Sequence, residues 1–146
     1  MDMEKYTFSQ VISTLVEIEQ GVAQFYKRLS KEVKDKALRE ALSKTVQESL
    51  NRVESLNRVR RLTVTEFSLE PITGLNLEHY MLQINMVRER DPYSLDKAVE
   101  LEDTLQKLYM EASARILYAS PDASELLARF SRESQKRKLK LTSHRE

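Results

Sequence analysis

The amino-acid sequence predicts an all-α protein, folded as one four-helix bundle over residues 1–146. Glycine and proline are scarce, with two and three residues in the chain, and scarce helix breakers favour long helices. Apolar residues recur at helical spacing in four long segments. Two stretches of sequence also occur twice, which indicates duplication of one helical hairpin. We therefore expect two hairpins joined by a long crossover.

The first predicted hairpin occupies the N-terminal part of the chain. Thr7, with Gln10 three residues later, forms a capping-box pattern, and an apolar face then continues to about Val33. The second helix begins near Asp35, a residue type that caps helices, and ends near Arg61. The loop between them is short, so the two helices should be antiparallel neighbours.

The segment 64–93 has a different pattern and is interpreted as the crossover. It contains Pro71 and Gly74, which interrupt helices, and a short helical pattern follows from about Leu75 to Val87. A connection of this length without secondary structure would be unusual in a compact domain. The sequence therefore predicts one short helix within the crossover.

The second predicted hairpin follows the crossover. Its first helix starts after Ser94 and carries an apolar face to Ile116. Ser120 is the predicted N-cap of the last helix, because Pro121 follows at the first helical position and Asp122 lies in the first turn. The chain thus reads as hairpin, crossover, hairpin.

Composition excludes several classes of function. The chain has no cysteine, which rules out disulfides, thiolate metal sites and cysteine nucleophiles. The first ten residues lack the apolar core of a signal peptide, and no apolar run approaches the ~20 residues of a membrane span. We expect a cytoplasmic protein without a membrane partner. Net charge is +1, and the basic run from Arg132 to Arg145 lacks interleaved aromatics, so nucleic-acid binding is not expected.

The sequence repeat is the most informative feature. Residues 17–30 read EIEQGVAQFYKRLS, and residues 100–113 read ELEDTLQKLYMEAS. A second pair of similar segments lies at 48–56 and 133–141. The offsets within the two pairs are nearly equal, as expected if each hairpin derives from the same unit.

Within the repeat, Glu19 and Glu102 occupy equivalent positions on apolar helix faces. Tyr26 and Tyr109 follow them at the same spacing of seven residues. A buried carboxylate is costly unless a cation or several hydrogen-bond donors face it. We therefore expect both glutamates to point into the bundle and to be paired there.

EIEQGVAQFY and ELEDTLQKLY resemble the first and third helices of ferritin-like proteins of the rubrerythrin type. The resemblance implies a ferritin-like bundle in which Glu19 and Glu102 are terminal ligands of a di-iron carboxylate centre. Tyr26 and Tyr109 match the tyrosines beside that centre. The family's remaining ligands are a Glu-x-x-His motif on each of the other two helices.

Neither the second nor the fourth main helix contains Glu-x-x-His. The two histidines of the chain, His79 and His144, lie in the crossover and in the C-terminal tail. What replaces the motif depends on the helix register. In the register that turns the apolar stripe of the second helix inward, the four motif positions hold Ser49, Arg52, Ser134 and Arg137. One residue earlier they hold Glu48, Asn51, Glu133 and Lys136.

Two functional hypotheses follow from the two registers. We prefer the first register, since two arginines neutralise two glutamates with directional hydrogen bonds. It predicts a buried ion-pair network without a cofactor, in a protein with a binding, scaffolding or regulatory role. Such a protein would act as a homodimer or with an unknown protein partner. The members of the predicted ion-pair network are Glu19, Glu102, Arg52 and Arg137, with Tyr26 and Tyr109 beside them.

The alternative is a metal-dependent oxidoreductase or iron-handling protein similar to rubrerythrins. It would hold two iron or manganese ions, because an all-oxygen site favours harder metals than zinc. The ligands of that alternative site are Glu19, Glu48, Glu102 and Glu133.

Overall fold

The computed structural model describes residues 5–62, 71–90 and 92–145, and throughout these ranges the regular structure is helical. Residues 1–4 and the first part of the predicted crossover, 64–70, lie outside the described residues. The prediction of an all-α protein is confirmed. The described residues form the helices α1 (Phe8–Glu32), α2 (Lys36–Leu62), α3 (Leu77–Arg88), α4 (Leu95–Ile116) and α5 (Pro121–Arg145).

Side-chain caps begin the four long helices where the sequence predicts them. The Thr7 hydroxyl accepts a hydrogen bond from the Gln10 backbone N–H at 3.0 Å, and the Gln10 side chain accepts one from Thr7 at 2.8 Å. The hydroxyls of Ser94 and Ser120 each accept a bond from the backbone N–H three residues later. The Asp35 carboxylate does the same at the start of α2. These bonds satisfy N–H groups that have no partner within the helix.

The short crossover helix exists, but its predicted start at Leu75 is wrong by two residues. Gly74 has a φ of 80°, a left-handed conformation that interrupts the helix. Asn76 then acts as the N-cap, so α3 begins at Leu77. It ends at Arg88, one residue beyond the predicted end.

Each hairpin is antiparallel. Between α1 and α2, polar contacts join residues with rising numbers on α1 to residues with falling numbers on α2. These contacts are Arg60 to Ser13, Arg52 to Glu19, and Arg39 to the carbonyl of Val33. The same order holds between α4 and α5, through Ser113 with Ser124, the carbonyl of Gln106 with Ser131, and Asp103 with Lys138.

The two hairpins meet with α1 and α4 antiparallel. Tyr26 contacts Glu102 while Tyr109 contacts Glu19, so positions again rise on one helix as they fall on the other. Because α1 is antiparallel to both α2 and α4, those two helices point the same way. The chain must therefore travel back along the bundle between them, which is the physical reason for the long crossover.

One apolar core joins side chains from all five helices. Helix α3 packs against α1 and α4, and backbone hydrogen bonds between Tyr6 and Ile72 tie the crossover to the start of the chain. In the described ranges, no helix is long and apolar enough to cross a bilayer. Among the described residues, the polar side chains that are at most 3% exposed are Glu19, Ser49, Arg52, Glu102 and Ser134.

Candidate functional site

Glu19 lies at the centre of the bundle with none of its surface exposed. Its position on the buried stripe of α1 places the carboxylate against the other hairpin. The Tyr109 hydroxyl donates a hydrogen bond to Oε2 at 2.5 Å. Nη1 of Arg52 donates to the same oxygen at 3.1 Å. A neutral and a cationic donor therefore share one carboxylate oxygen.

Glu102 has the equivalent environment on α4 and is also completely buried. The Tyr26 hydroxyl donates to its Oε2 at 2.5 Å. Nη1 of Arg137 lies 3.5 Å from the same oxygen. Each glutamate thus receives a tyrosine from the opposite hairpin and faces an arginine from its own.

Arg52 is held on several sides by the opposite hairpin. Beyond Glu19, its guanidinium donates to the Ser134 hydroxyl at 3.3 Å and to the Phe130 carbonyl at 3.4 Å. Oε1 of Glu133 accepts a further bond at 3.4 Å. The guanidinium carbon also lies 5.0 Å from the centre of the Phe130 ring, within the range of a cation–π contact.

Arg137 repeats this arrangement from α5. Its Nη1 donates to the Ser49 hydroxyl at 3.4 Å, and its Nη2 lies 3.7 Å from Oε1 of Glu48. Every partner corresponds to a partner of Arg52 through the sequence repeat. The two half-sites therefore cross-link the hairpins, since each arginine and each tyrosine reaches into the other hairpin.

The network balances its buried charge. Burial alone lowers the pKa of the Arg52 guanidinium, but attraction to Glu19 and to the other nearby acidic groups outweighs it. The net pKa of Arg52 is raised above its ordinary value, so this side chain stays charged. The two glutamates and the two arginines cancel in formal charge, which reduces the cost of burying them.

The two tyrosines act as neutral donors. Burial raises the pKa of Tyr26 well above its usual value, and the charge of Glu102 raises it further. The pKa of Tyr109 is raised in the same way, by burial first and then by Glu19. Each phenol stays protonated and donates a hydrogen bond to a carboxylate oxygen.

Three buried polar atoms have no hydrogen-bond partner among the described residues: Oε1 of Glu19, Oε1 of Glu102 and Nε of Arg52. The two oxygens are equivalent in the repeat. Buried polar atoms without partners are uncommon in folded proteins because their desolvation is not repaid. The two carboxylate oxygens are the positions at which binding of a metal ion has to be tested, since the Arg52 Nε is a donor and cannot be a metal ligand.

The residues of the centre do not fit a two-metal site. Among the described residues, the two Oε1 atoms are the buried side-chain oxygens without a hydrogen-bond partner, and the guanidiniums of Arg52 and Arg137 place positive charge beside the same carboxylates. Glu48 and Glu133, the other ligands of the metal hypothesis, have side chains 48% and 46% exposed and face the two arginines. In residues 5–62, 71–90 and 92–145, no three His, Asp or Glu side chains cluster as a metal site. His79 and His144 are exposed.

Helices α2 and α5 enclose a cleft of about 360 Å³ above the network. The guanidiniums of Arg52 and Arg137 line it together with Glu48 and Glu133. The buried centre is therefore reached from one side of the bundle, between the two helices that carry the arginines.

The structure brings together the six residues that the sequence singled out for the ion-pair network and its tyrosines. Sequence reasoning missed the Phe130 carbonyl, whose contact with Arg52 depends on backbone geometry. It also assigned Glu48 and Glu133 only to the metal hypothesis. Glu48 and Glu133 are separated by the same 85 residues as Arg52 and Arg137. This equal spacing could have indicated that each glutamate faces the arginine of the other hairpin at the edge of the site.

Comparison with known proteins found no matching family model, no matching curated protein and no matching solved structure. The interpretation of the centre therefore rests on its own geometry.

Proposed function

We propose that this chain is a ferritin-like bundle of the rubrerythrin type whose metal centre has been replaced by an ion-pair network. Its role would be binding, scaffolding or regulation rather than redox chemistry. The observation that carries the proposal is the pairing of each buried glutamate with a guanidinium, Glu19 with Arg52 at 3.1 Å and Glu102 with Arg137 at 3.5 Å. Guanidinium supplies the positive charge that metal ions supply in the resembled family.

The arrangement of the helices supports the same proposal. Two antiparallel hairpins joined by a long crossover agree with the architecture that the resemblance implies. Ser49 with Arg52, and Ser134 with Arg137, are spaced three apart on α2 and α5. This is the spacing of Glu-x-x-His, and all four side chains contact the centre. The homodimer, an unknown protein partner and a cytoplasmic location stay predictions.

Restoring the missing motif tests the proposal directly. The restored variant combines Ser49→Glu, Arg52→His, Ser134→Glu and Arg137→His. We expect this variant, loaded anaerobically with Fe(II) or Mn(II), to bind about two ions per chain, because it carries the full ligand set of the family. Wild-type protein should retain none after desalting. Metal analysis and circular dichroism on the same samples provide the ion count and the check on folding.

A matched variant separates the two functional hypotheses. Stoichiometric metal in the wild type that disappears in Glu19→Gln with Glu102→Gln would contradict the proposal and favour the four-glutamate site with Glu48 and Glu133. A restored variant that folds but binds no metal would contradict the ferritin-like interpretation. Adding Glu19→Gln and Glu102→Gln to the restored variant should abolish its binding.

A further inference from the structure

The cleft between α2 and α5 carries an excess of positive charge. Its lining includes the two carboxylates of Glu48 and Glu133. Against them stand six cationic side chains: Lys44, Arg52, Arg129, Lys136, Arg137 and Lys140. Even with buried Glu19 and Glu102 directly behind it, the cleft keeps a positive excess of two charges.

The excess resides on the lysines at the rim. Arg52 and Arg137 face the buried glutamates, and Arg129 lies 3.9 Å from Glu133. Lys44, Lys136 and Lys140 are exposed and make no ion pair with any other described residue. Three exposed ammonium groups therefore line a cleft that also contains the arginines of the network.

The Arg52 side chain contains a hydrogen-bond donor without an acceptor. Arg52 is 3% exposed and lines the cleft, yet its Nε has no partner among the described residues. A buried cationic N–H without an acceptor is costly. Nε itself has almost no accessible surface, so a ligand in the cleft would act on the Arg52 guanidinium through its charge.

Both hairpins contribute to the cleft at equivalent positions. Lys44 and Arg129 are separated by the same 85-residue offset as Arg52 and Arg137, as the numbering shows. The cationic surface thus approaches a ligand from two sides. Two-sided cationic contact suits an anion with several oxygens, because arginine and lysine bind phosphate oxygens through charge-assisted hydrogen bonds.

We infer that this cleft binds a small anionic ligand bearing phosphate groups. The inference rests on the proposed binding role and names the ligand class for it. The volume of about 360 Å³ lies within the range of small-molecule sites. A nucleic acid is disfavoured because the basic run of α5 is divided between faces. Lys138 pairs with Asp103 and Arg132 with Glu125, away from the cleft, and the Arg145 side chain lies outside the described residues.

Pyrophosphate is the probe for this inference, titrated calorimetrically into the full chain at low ionic strength. We expect saturable binding at about one site per chain. Lys44→Gln with Lys136→Gln and Lys140→Gln should weaken it at least about tenfold. The matched control, Lys31→Gln with Lys34→Gln and Lys36→Gln, removes the same charge from exposed positions outside the cleft. Its affinity should change less than about twofold.

A second readout concerns the Arg52 guanidinium in the cleft. The Nε–Hε resonance of Arg52, assigned with Arg52→Lys, should shift on saturation with pyrophosphate. Absence of saturable binding, equal weakening in both triple variants, or an unmoved resonance would overturn the inference. So would binding of an oligonucleotide but not of pyrophosphate. These outcomes leave the proposed metal-free centre intact, because that proposal is tested separately by metal binding to the wild type and to the restored variant.

Discussion

The hydroxyls of Tyr26 and Tyr109 are the neutral donors of the centre, and each can be removed without changing the ring. Tyr26→Phe leaves Oε2 of Glu102 with Arg137 as its remaining partner. Loss of a buried hydrogen bond to a charged group costs about 1.5–3 kcal/mol. We expect the free energy of unfolding, measured in urea, to fall by that amount. Tyr93→Phe is the control, because the Tyr93 hydroxyl has no hydrogen bond within the described ranges, and its effect should stay within about 0.5 kcal/mol. Equal effects of both substitutions would contradict the assigned bond.

The same tyrosines predict a loss of stability at high pH. Their folded-state pKa values are raised, whereas in the unfolded chain they titrate near 10. The stability that these two tyrosines contribute is therefore fully present below about pH 10. It declines as the pH rises further, because the unfolded chain releases these protons at a lower pH than the folded protein does. Each tyrosine contributes up to about 1.4 kcal/mol per pH unit. Urea midpoints measured from neutral to alkaline pH check this. The decline should become shallower in Tyr26→Phe with Tyr109→Phe, and an unchanged slope would contradict the account.

Residue-level features of the centre were predictable to the extent that they depend on periodicity. Glu19 and Glu102 stand out because a carboxylate recurs on an apolar helix face, and Arg52 follows from turning the stripe of α2 inward. The tyrosine bonds to the opposite hairpin were not predictable. They depend on how α1 and α4 are offset along their axes, which no local pattern specifies.

At the scale of elements, two glycines with similar neighbours should respond differently to alanine. A Cβ on either would meet an arginine side chain at under 3 Å, Arg88 at Gly21 and Arg115 at Gly74. Gly74 also has a φ of 80°, which alanine adopts at a cost of about 1–2 kcal/mol. We expect Gly74→Ala to lower the midpoint of thermal unfolding. Gly21→Ala gains about 1 kcal/mol of helix propensity, which offsets the shift of the flexible Arg88. A larger loss at Gly21 would contradict this comparison.

The starts of the long helices were predictable because each N-cap is a local signal. Thr7, Asp35, Ser94 and Ser120 cap through contacts within three residues of sequence. The start of α3 was misplaced since an asparagine cap after a glycine competes with an apolar pattern that begins earlier. Local chemistry at Asn76 decided the start of this helix.

At the scale of the whole molecule, the predicted duplication of one hairpin would explain why the centre is neutral and two-sided. One glutamate, one arginine and one tyrosine in a single hairpin would give two of each after duplication. Each glutamate pairs with the arginine of its own hairpin and accepts a hydrogen bond from the tyrosine of the other. The nearly constant offset between the repeated segments is enough to predict from the sequence that the two hairpins are equivalent. The cleft could not be predicted in the same way, because its basic rim combines residues from α2 and α5 that become neighbours only when the hairpins pack.

A double-mutant cycle on Glu19 and Arg52 tests the central claim, that a buried ion pair occupies the centre, most directly. Glu19→Gln and Arg52→Met should each cost about 3–5 kcal/mol of unfolding free energy. Without Arg52 the buried Glu19 loses its cation, and without the Glu19 charge the buried Arg52 keeps only the half-exposed Glu133 as an ion-pair partner. The double variant should lose much less than the sum. The matched cycle, Asp103→Asn with Lys138→Met, concerns a partly exposed pair at 2.7 Å and should give a coupling of at most about 1 kcal/mol. A coupling of about 2 kcal/mol or more between Glu19 and Arg52 is the predicted result, and additive effects like those of a surface pair would contradict it.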